Sequence, residues 1–136
     1  MEATTPRMIQ THKVPHRLAA AADPTAILVL DEAGQGGANH EYEVVNLIHG
    51  PNDLDNALVY LHVSFQNGPI KEVGINGVQV EHLLAIAQDR LEAFQAGDYA
   101  NQYGGEALEH VIAALGALHR RTLDRIARQV EGLNQV

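Results

Sequence analysis

The apolar residues of this chain change their spacing once, near Val78, and the change divides what its two parts can become. Before it, short apolar runs alternate with polar residues or stop at turns. After it, apolar positions recur every three or four residues almost to the end. Period two suits a strand with one covered face, and period 3.6 suits a helix with one apolar stripe. The chain is therefore predicted to be α+β: a small N-terminal antiparallel β-sheet over residues 25–77 followed by a C-terminal two-helix αα-hairpin over residues 78–132. With 136 residues of which 46 % are apolar, there is material for one domain and little for a second.

Within the first part, Ala26-Ile27-Leu28-Val29-Leu30 reads as a strand that stops at the turn-rich Asp31 to Asn39. Gly34, Gly36 and Gly37 in that loop do not fit a phosphate-binding P-loop and read as a flexible or hairpin connection. Glu41 to Ile48 is the next strand. Leu58 to Gln66 alternates: Val59, Leu61, Val63 and Phe65 point one way, and Leu58, Tyr60, His62, Ser64 and Gln66 the other. Asn67-Gly68 signals a hairpin, Pro69 cannot donate to a ladder, and Ile70 to Val73 is read as a short returning edge strand. Residues 1–24 mix Thr, Pro, His and Ala without period and read as a flexible arm, or as a strap laid over a neighbour, with no role in the core.

In the second part, Val80, Leu83, Leu84, Ala87, Leu91 and Phe94 form the stripe of a helix from Val78 to Ala96, ended by Gly97. Asp98 to Gly105 is the connector. Leu108, Val111, Ile112, Leu115 and Leu118 begin a second stripe that reaches Val130, with Gly132 closing the helix. Three or four short strands and one hairpin leave these stripes incompletely covered, so a homo-oligomer is expected.

Composition removes several classes of function. Without Cys there are no disulfides, thiolate metal sites or cysteine nucleophiles, which fits a reducing interior. No run approaches the ~18 apolar residues of a membrane span, and Met1 to Lys13 holds no continuous apolar stretch of a signal peptide, so no membrane role and a cytoplasmic location are expected. A net charge of -8 disfavours polynucleotides, which bind extended basic surfaces, but not one small anion held locally.

Chemistry-bearing motifs are few. The eight His residues show no HExxH or HxH, and His12 and His16 have i, i+4 spacing only across Pro15, so no metal site is expected. Ser64 is the one serine and lacks a GxSxG elbow, while Glu41 and Glu43 share a strand face without a partner pattern; no catalytic residues and no cofactor are assigned. What stands out is Arg120-Arg121-Thr122-Leu123-Asp124-Arg125-Ile126-Ala127-Arg128, which holds four of the nine Lys and Arg residues. On a helix Arg121, Arg125 and Arg128 make one guanidinium ridge suited to bidentate phosphate or carboxylate contact. The same spacing also describes a solvated helix end favoured by the macrodipole, with Asp124 pairing along the helix. Phe94, Tyr99 and Tyr103 could stack on a base, and the Asn76-Gly77 turn could offer donors to phosphate or ribose.

Four segments carry a resemblance: Phe65 to Ile70, Glu72 to Val78, Arg90 to Gly97, and Arg121-Thr122-Leu123-Asp124-Arg125-Ile126-Ala127-Arg128-Gln129-Val130-Glu131-Gly132. Together they resemble the phage-encoded sponge family that defeats Thoeris and CBASS immunity and whose members share a C-terminal helical hairpin. Gly36-Gly37-Ala38-Asn39-His40 recurs in related phage proteins. The anti-Thoeris branch adds an N-terminal antiparallel sheet, as inferred here, and sequesters cyclic ADP-ribose isomers; the anti-CBASS branch takes cyclic di- and trinucleotides. The resemblance implies a non-enzymatic dimer or hexamer in the cytoplasm of an infected bacterium, with ligands between subunits and without a cofactor. Motif position and side-chain chemistry together assign Arg121, Arg125 and Arg128 to phosphates, Phe94 or Tyr99 to adenine, Asn76 and Gln95 to ribose or base edges, and Thr122 to the same ligand site. A cyclic oligonucleotide sponge and a phage assembly or interaction protein are the alternatives. This chain departs from the family in having Gln129 where Gly is frequent, and Gly97-Asp98-Tyr99 where Gly-Pro-Phe or Gly-Pro-Tyr is common.

Overall fold

The computed structural model describes residues 12–14, 23–129 and 132. The chain forms two compact units, Met1–Asn67 and Gly68–Val136, of the expected α+β composition. The first holds a four-stranded antiparallel sheet in the order β1-β2-β3-β4: β1 (His12–Val14), β2 (Thr25–Val29), β3 (Glu41–Asn46) and β4 (Leu58–Ser64). The strand β1 corrects the flexible-arm reading for residues 12–14, which lie along the sheet: His12, Lys13 and Val14 pair with Val29, Leu28 and Ile27. Three residues carry no readable period; the ladder of β2 orders them. The rest of that segment, residues 1–11 and 15–22, lies outside the described residues.

Partners across an antiparallel ladder share a face. On one face Ala26 and Leu28 of β2 stand beside Val45 of β3, and with Leu30 they form a core against which Leu47, Leu54 and Ala57 of the β3–β4 connection pack. On the other, Val29 and Val63 are buried and Tyr42 meets Phe65 edge-on, with centroids 5.5 Å apart. Leu28, Val29 and Val45 are fully buried, each worth about 1.5–3 kcal/mol of hydrophobic stabilisation.

The alternation read along β4 does not survive intact. Leu61 pairs with Val44 but Val59 pairs with Val45, so Tyr60 is the extra residue of a β-bulge. Val59 and Leu61 therefore face opposite sides. Periodicity cannot reveal this, because the break depends on the partner strand.

The second unit contains α1 (Ile70–Val73), α2 (Val80–Gln95) and α3 (Gln102–Ala127). Residues 70–73 form a single helical turn rather than the expected edge strand. Pro69, at φ -67, has no N–H to offer a ladder, while its carbonyl accepts from Glu72 and Val73 to start the turn. The first long helix ends at Gln95 with Ala96 in the right-handed region, and Gly97 is not left-handed, which corrects its reading as a glycine stop. The connector is shorter than expected: Asn101 caps α3 by accepting the Gly104 N–H at 2.8 Å, so 102–105 are helical. At its far end α3 stops at Ala127, with Arg128 as cap and Gln129 at φ 59, short of the expected Val130. Val130 lies outside the described residues, while Gly132 is left-handed at φ 81. No helix among the described residues is long and apolar enough to cross a membrane.

Candidate functional site

The stripe of α3 runs Leu108, Val111, Leu115, Leu118, Thr122, Arg125, at alternating spacings of three and four. Its last member is a cation. Among the described residues of this unit Arg125 alone is buried, at 7 % exposure, whereas Arg121 and Arg128 are exposed. The predicted ridge therefore holds three different guanidinium environments. Arg125 is sunk in the line of the apolar stripe, Arg121 stands in solvent, and Arg128 is committed in part to Asp124, its Nε donating to Oδ2 at 3.0 Å. Burying a guanidinium is costly unless its donors are satisfied.

Two further groups belong to this end of the hairpin. The Lys71 N–H of α1 donates to the Gly132 carbonyl at 3.2 Å, which brings the α1 turn to the segment after α3. Lys71 was missed because it was read on a strand. Asn76, exposed in the turn between α1 and α2, is at the same end of the unit.

The aromatic residues are elsewhere. Phe94, at the end of α2, has the Arg90 guanidinium 4.8 Å from its ring centroid, and Tyr99 stands edge-on to it at 6.2 Å. Tyr99 and Tyr103 are largely exposed. Beside them, Gln95 gives both ends of its amide to one main-chain residue: Nε2 donates to the Asn101 carbonyl at 2.9 Å, and Oε1 accepts the Asn101 N–H at 3.1 Å.

The candidate residues thus form two groups, Arg121, Thr122, Arg125, Arg128 and Asn76 at the base of the hairpin, and Phe94, Gln95 and Tyr99 at its tip. Gln95 lies against Gly104 and Gly105, which fixes the level of the tip along α3. At about 1.5 Å per helical residue, Arg121 is then about 24 Å and Arg125 about 30 Å away along the axis. Within one chain the two groups do not meet.

A second polar constellation lies on the sheet. Glu41 and Glu43 of β3 do have partners, contrary to the sequence reading: His62 Nε2 is 2.8 Å from Glu41 Oε2, His62 Nδ1 is 3.4 Å from Glu43 Oε2, and Ser64 Oγ donates to Glu41 Oε2 at 2.7 Å. The ladder pairs Glu43 with His62 and Glu41 with Ser64, so a register, not a motif, assembles them. Ser64 Oγ also lies 3.3 Å from His62 Nε2, so Glu41, Glu43, His62 and Ser64 form one continuous polar cluster. The two carboxylates sit on opposite ring nitrogens, which ties β3 to β4 and does not converge on a metal position.

The glycine loop after β2 is a closed structure. Asp31 accepts the His40 N–H at 3.0 Å and the Glu41 N–H at 3.1 Å, and its carbonyl accepts from the Asn39 amide at 2.7 Å. Gly36 and Gly37, at φ 78 and 82, make the turn.

The sequence matches no protein-family profile. Over 73 residues it is 38 % identical to Thoeris anti-defense 1 of Bacillus phage SBSphiJ7, a match that takes in 54 % of this chain and 51 % of that protein. The match spans about half the length of this curated relative.

Proposed function

We propose that the chain is a phage anti-defence protein that captures a cyclic ADP-ribose-type signalling nucleotide in the host cytoplasm without cleaving it, and so blocks Thoeris immunity. The observation that carries this reading is the buried Arg125 at the end of an apolar stripe, flanked by exposed Arg121 and matched at the other end of the hairpin by an exposed aromatic pair. Guanidinium groups suit the phosphates and aromatic faces suit the adenine. Similarity to Thoeris anti-defense 1 over about half of the chain supports the anti-Thoeris role.

The separation of base and tip gives the reading its geometry. A small cyclic nucleotide is far shorter than about 24–30 Å, so a ligand using both groups must lie between two copies, the base of one against the tip of the other. Ile86, Ile112 and Leu123 are each at least 46 % exposed, leaving apolar helix surface for a second copy to cover. Arg121, Thr122, Arg125 and in part Arg128 hold phosphate, Phe94 or Tyr99 stacks on the base, and Asn76 reaches ribose or base edges.

The test is calorimetric titration with cyclic ADP-ribose isomers and with cyclic di- and trinucleotides, followed by heat release and chromatography of the bound compound. Tight binding and intact release support capture; conversion of the compound would make the protein an enzyme. Preference for a cyclic oligonucleotide would move the reading to CBASS signals, and silence toward every nucleotide would favour a protein partner for the Arg ridge. Arg121→Ala is the cleanest variant, since its side chain is exposed. A charged hydrogen bond is worth about 1.5–3 kcal/mol, so affinity should fall at least about tenfold with the melting temperature unchanged.

A further inference from the structure

The first turn of α3 contains Gly104-Gly105, two poor helix formers where any good one would serve the helix better. The reason is Gln95. A Cβ on Gly104 would lie 2.7 Å from Gln95 Oε1, and one on Gly105 would lie 3.1 Å from Nε2. Each contact is tight for a side chain whose amide is already fixed by a donor and an acceptor of Asn101. Because those main-chain partners differ in kind, only one orientation of the amide satisfies both. Asn101 passes the constraint on in two directions: Oδ1 caps α3, and Nδ2 donates to the Tyr99 carbonyl at 3.0 Å. A continuous chain of contacts therefore runs from the glycine pair through Gln95 and Asn101 to Tyr99, which stands against Phe94. The far end of that chain is Arg90, over the Phe94 ring.

We infer that Gln95 is a positioning residue, which locks the hairpin loop so that Tyr99 stands edge-on to Phe94 in a preformed aromatic corner, one ring of which is the shelf for a purine base. This rests on the proposed capture of a nucleotide, and it gives Gln95 a role through the loop in place of direct contact with the ligand. Fixing the loop beforehand removes part of the ordering cost of binding. The shelf is thereby built for the base-bearing end of the ligand and is independent of its phosphates.

The experiment is a double-mutant cycle on the full chain, with binding measured against a cyclic ADP-ribose isomer that the unaltered protein retains. Gln95→Ala should weaken binding about tenfold and leave inorganic pyrophosphate binding unchanged. In a Tyr99→Ala background the same change should have little further effect, because the residue acts through Tyr99. Gly104→Ala should also weaken binding, and should cease to do so once Gln95→Ala removes the atom it collides with. Gln95→Glu, which keeps the acceptor and loses the donor, serves if Gln95→Ala does not fold. Losses at Gln95 and Tyr99 that simply add would mean that Gln95 touches the ligand, and would overturn the inference, as would an unchanged affinity in Gln95→Ala. If the unaltered protein binds no nucleotide, the capture reading fails separately. The lock is then judged by the fluorine resonance of 3-fluorotyrosine at position 99, and a resonance unmoved by Gln95→Ala overturns it.

Discussion

Replacing Gln129 by Gly should stabilise this protein, although it removes a side chain and introduces the most flexible residue. Gln129 follows the cap of α3 at φ 59 and its N–H donates to the Ile126 carbonyl at 2.9 Å, so the backbone makes the left-handed turn that closes many helices. An L-residue pays about 1–2 kcal/mol for that conformation. Glycine escapes this, but loses about 0.5–1 kcal/mol more backbone freedom on folding. The side chain of Gln129 is exposed, so little packing is lost. The net gain is about 0.5–1 kcal/mol, or about 3 °C in melting temperature for a chain of this size. The assay is thermal unfolding of Gln129→Gly beside Gln129→Ala, because alanine keeps the Cβ and should gain nothing. A Gly variant no more stable than the starting protein, or an Ala variant as stable as the Gly one, would refute the reasoning. The change also bears on the site, since the turn it firms carries Arg125 and Arg128.

Asp31→Ala removes the acceptor of the His40 and Glu41 N–H groups and should destabilise the sheet unit by about 2–3 kcal/mol in chemical denaturation. Gly34→Ala would set a Cβ 2.8 Å from Cε1 of the buried His40 ring, and should cost about 1–3 kcal/mol by the same assay. Leu28→Ala, at a position 1 % exposed, should lose about 2–5 kcal/mol. Arg125→Ala should lose both stability and nucleotide binding, in contrast to Arg121→Ala, and the two melting temperatures read the difference in burial.

Local signals carried most of the fold. The 3.6-residue stripes placed α2 and α3 within a few residues, and alternation with turn residues placed β2, β3 and β4. What could not be read depends on partners distant in sequence. The strand β1 exists through the ladder of β2, and the bulge at Tyr60 through the register of β3. Gly104 and Gly105 look like connector and are helix, because the side chain that makes them necessary comes from α2. At the candidate site, the Arg ridge was legible as spacing, but the burial of Arg125 alone was not. The distance between the ridge and the aromatic residues follows from an antiparallel hairpin whose length no single motif states. The Glu41, Glu43, His62 and Ser64 group was invisible for the same reason as the bulge.

That bulge also governs how the molecule behaves in a crowd. Leu58, Val59, Tyr60 and Leu61 are all exposed on the outermost strand of a sheet, a run of four apolar residues without a charge or a proline. A flat strand of that composition would be a template on which further chains could add, and high expression would favour fibrous deposits. The extra residue at Tyr60 kinks the strand and puts Val59 and Leu61 on opposite sides, which disfavours a regular ladder along the outer edge of the described sheet. The irregularity that hid from the alternation pattern is thus a safeguard on the yield of folded chains.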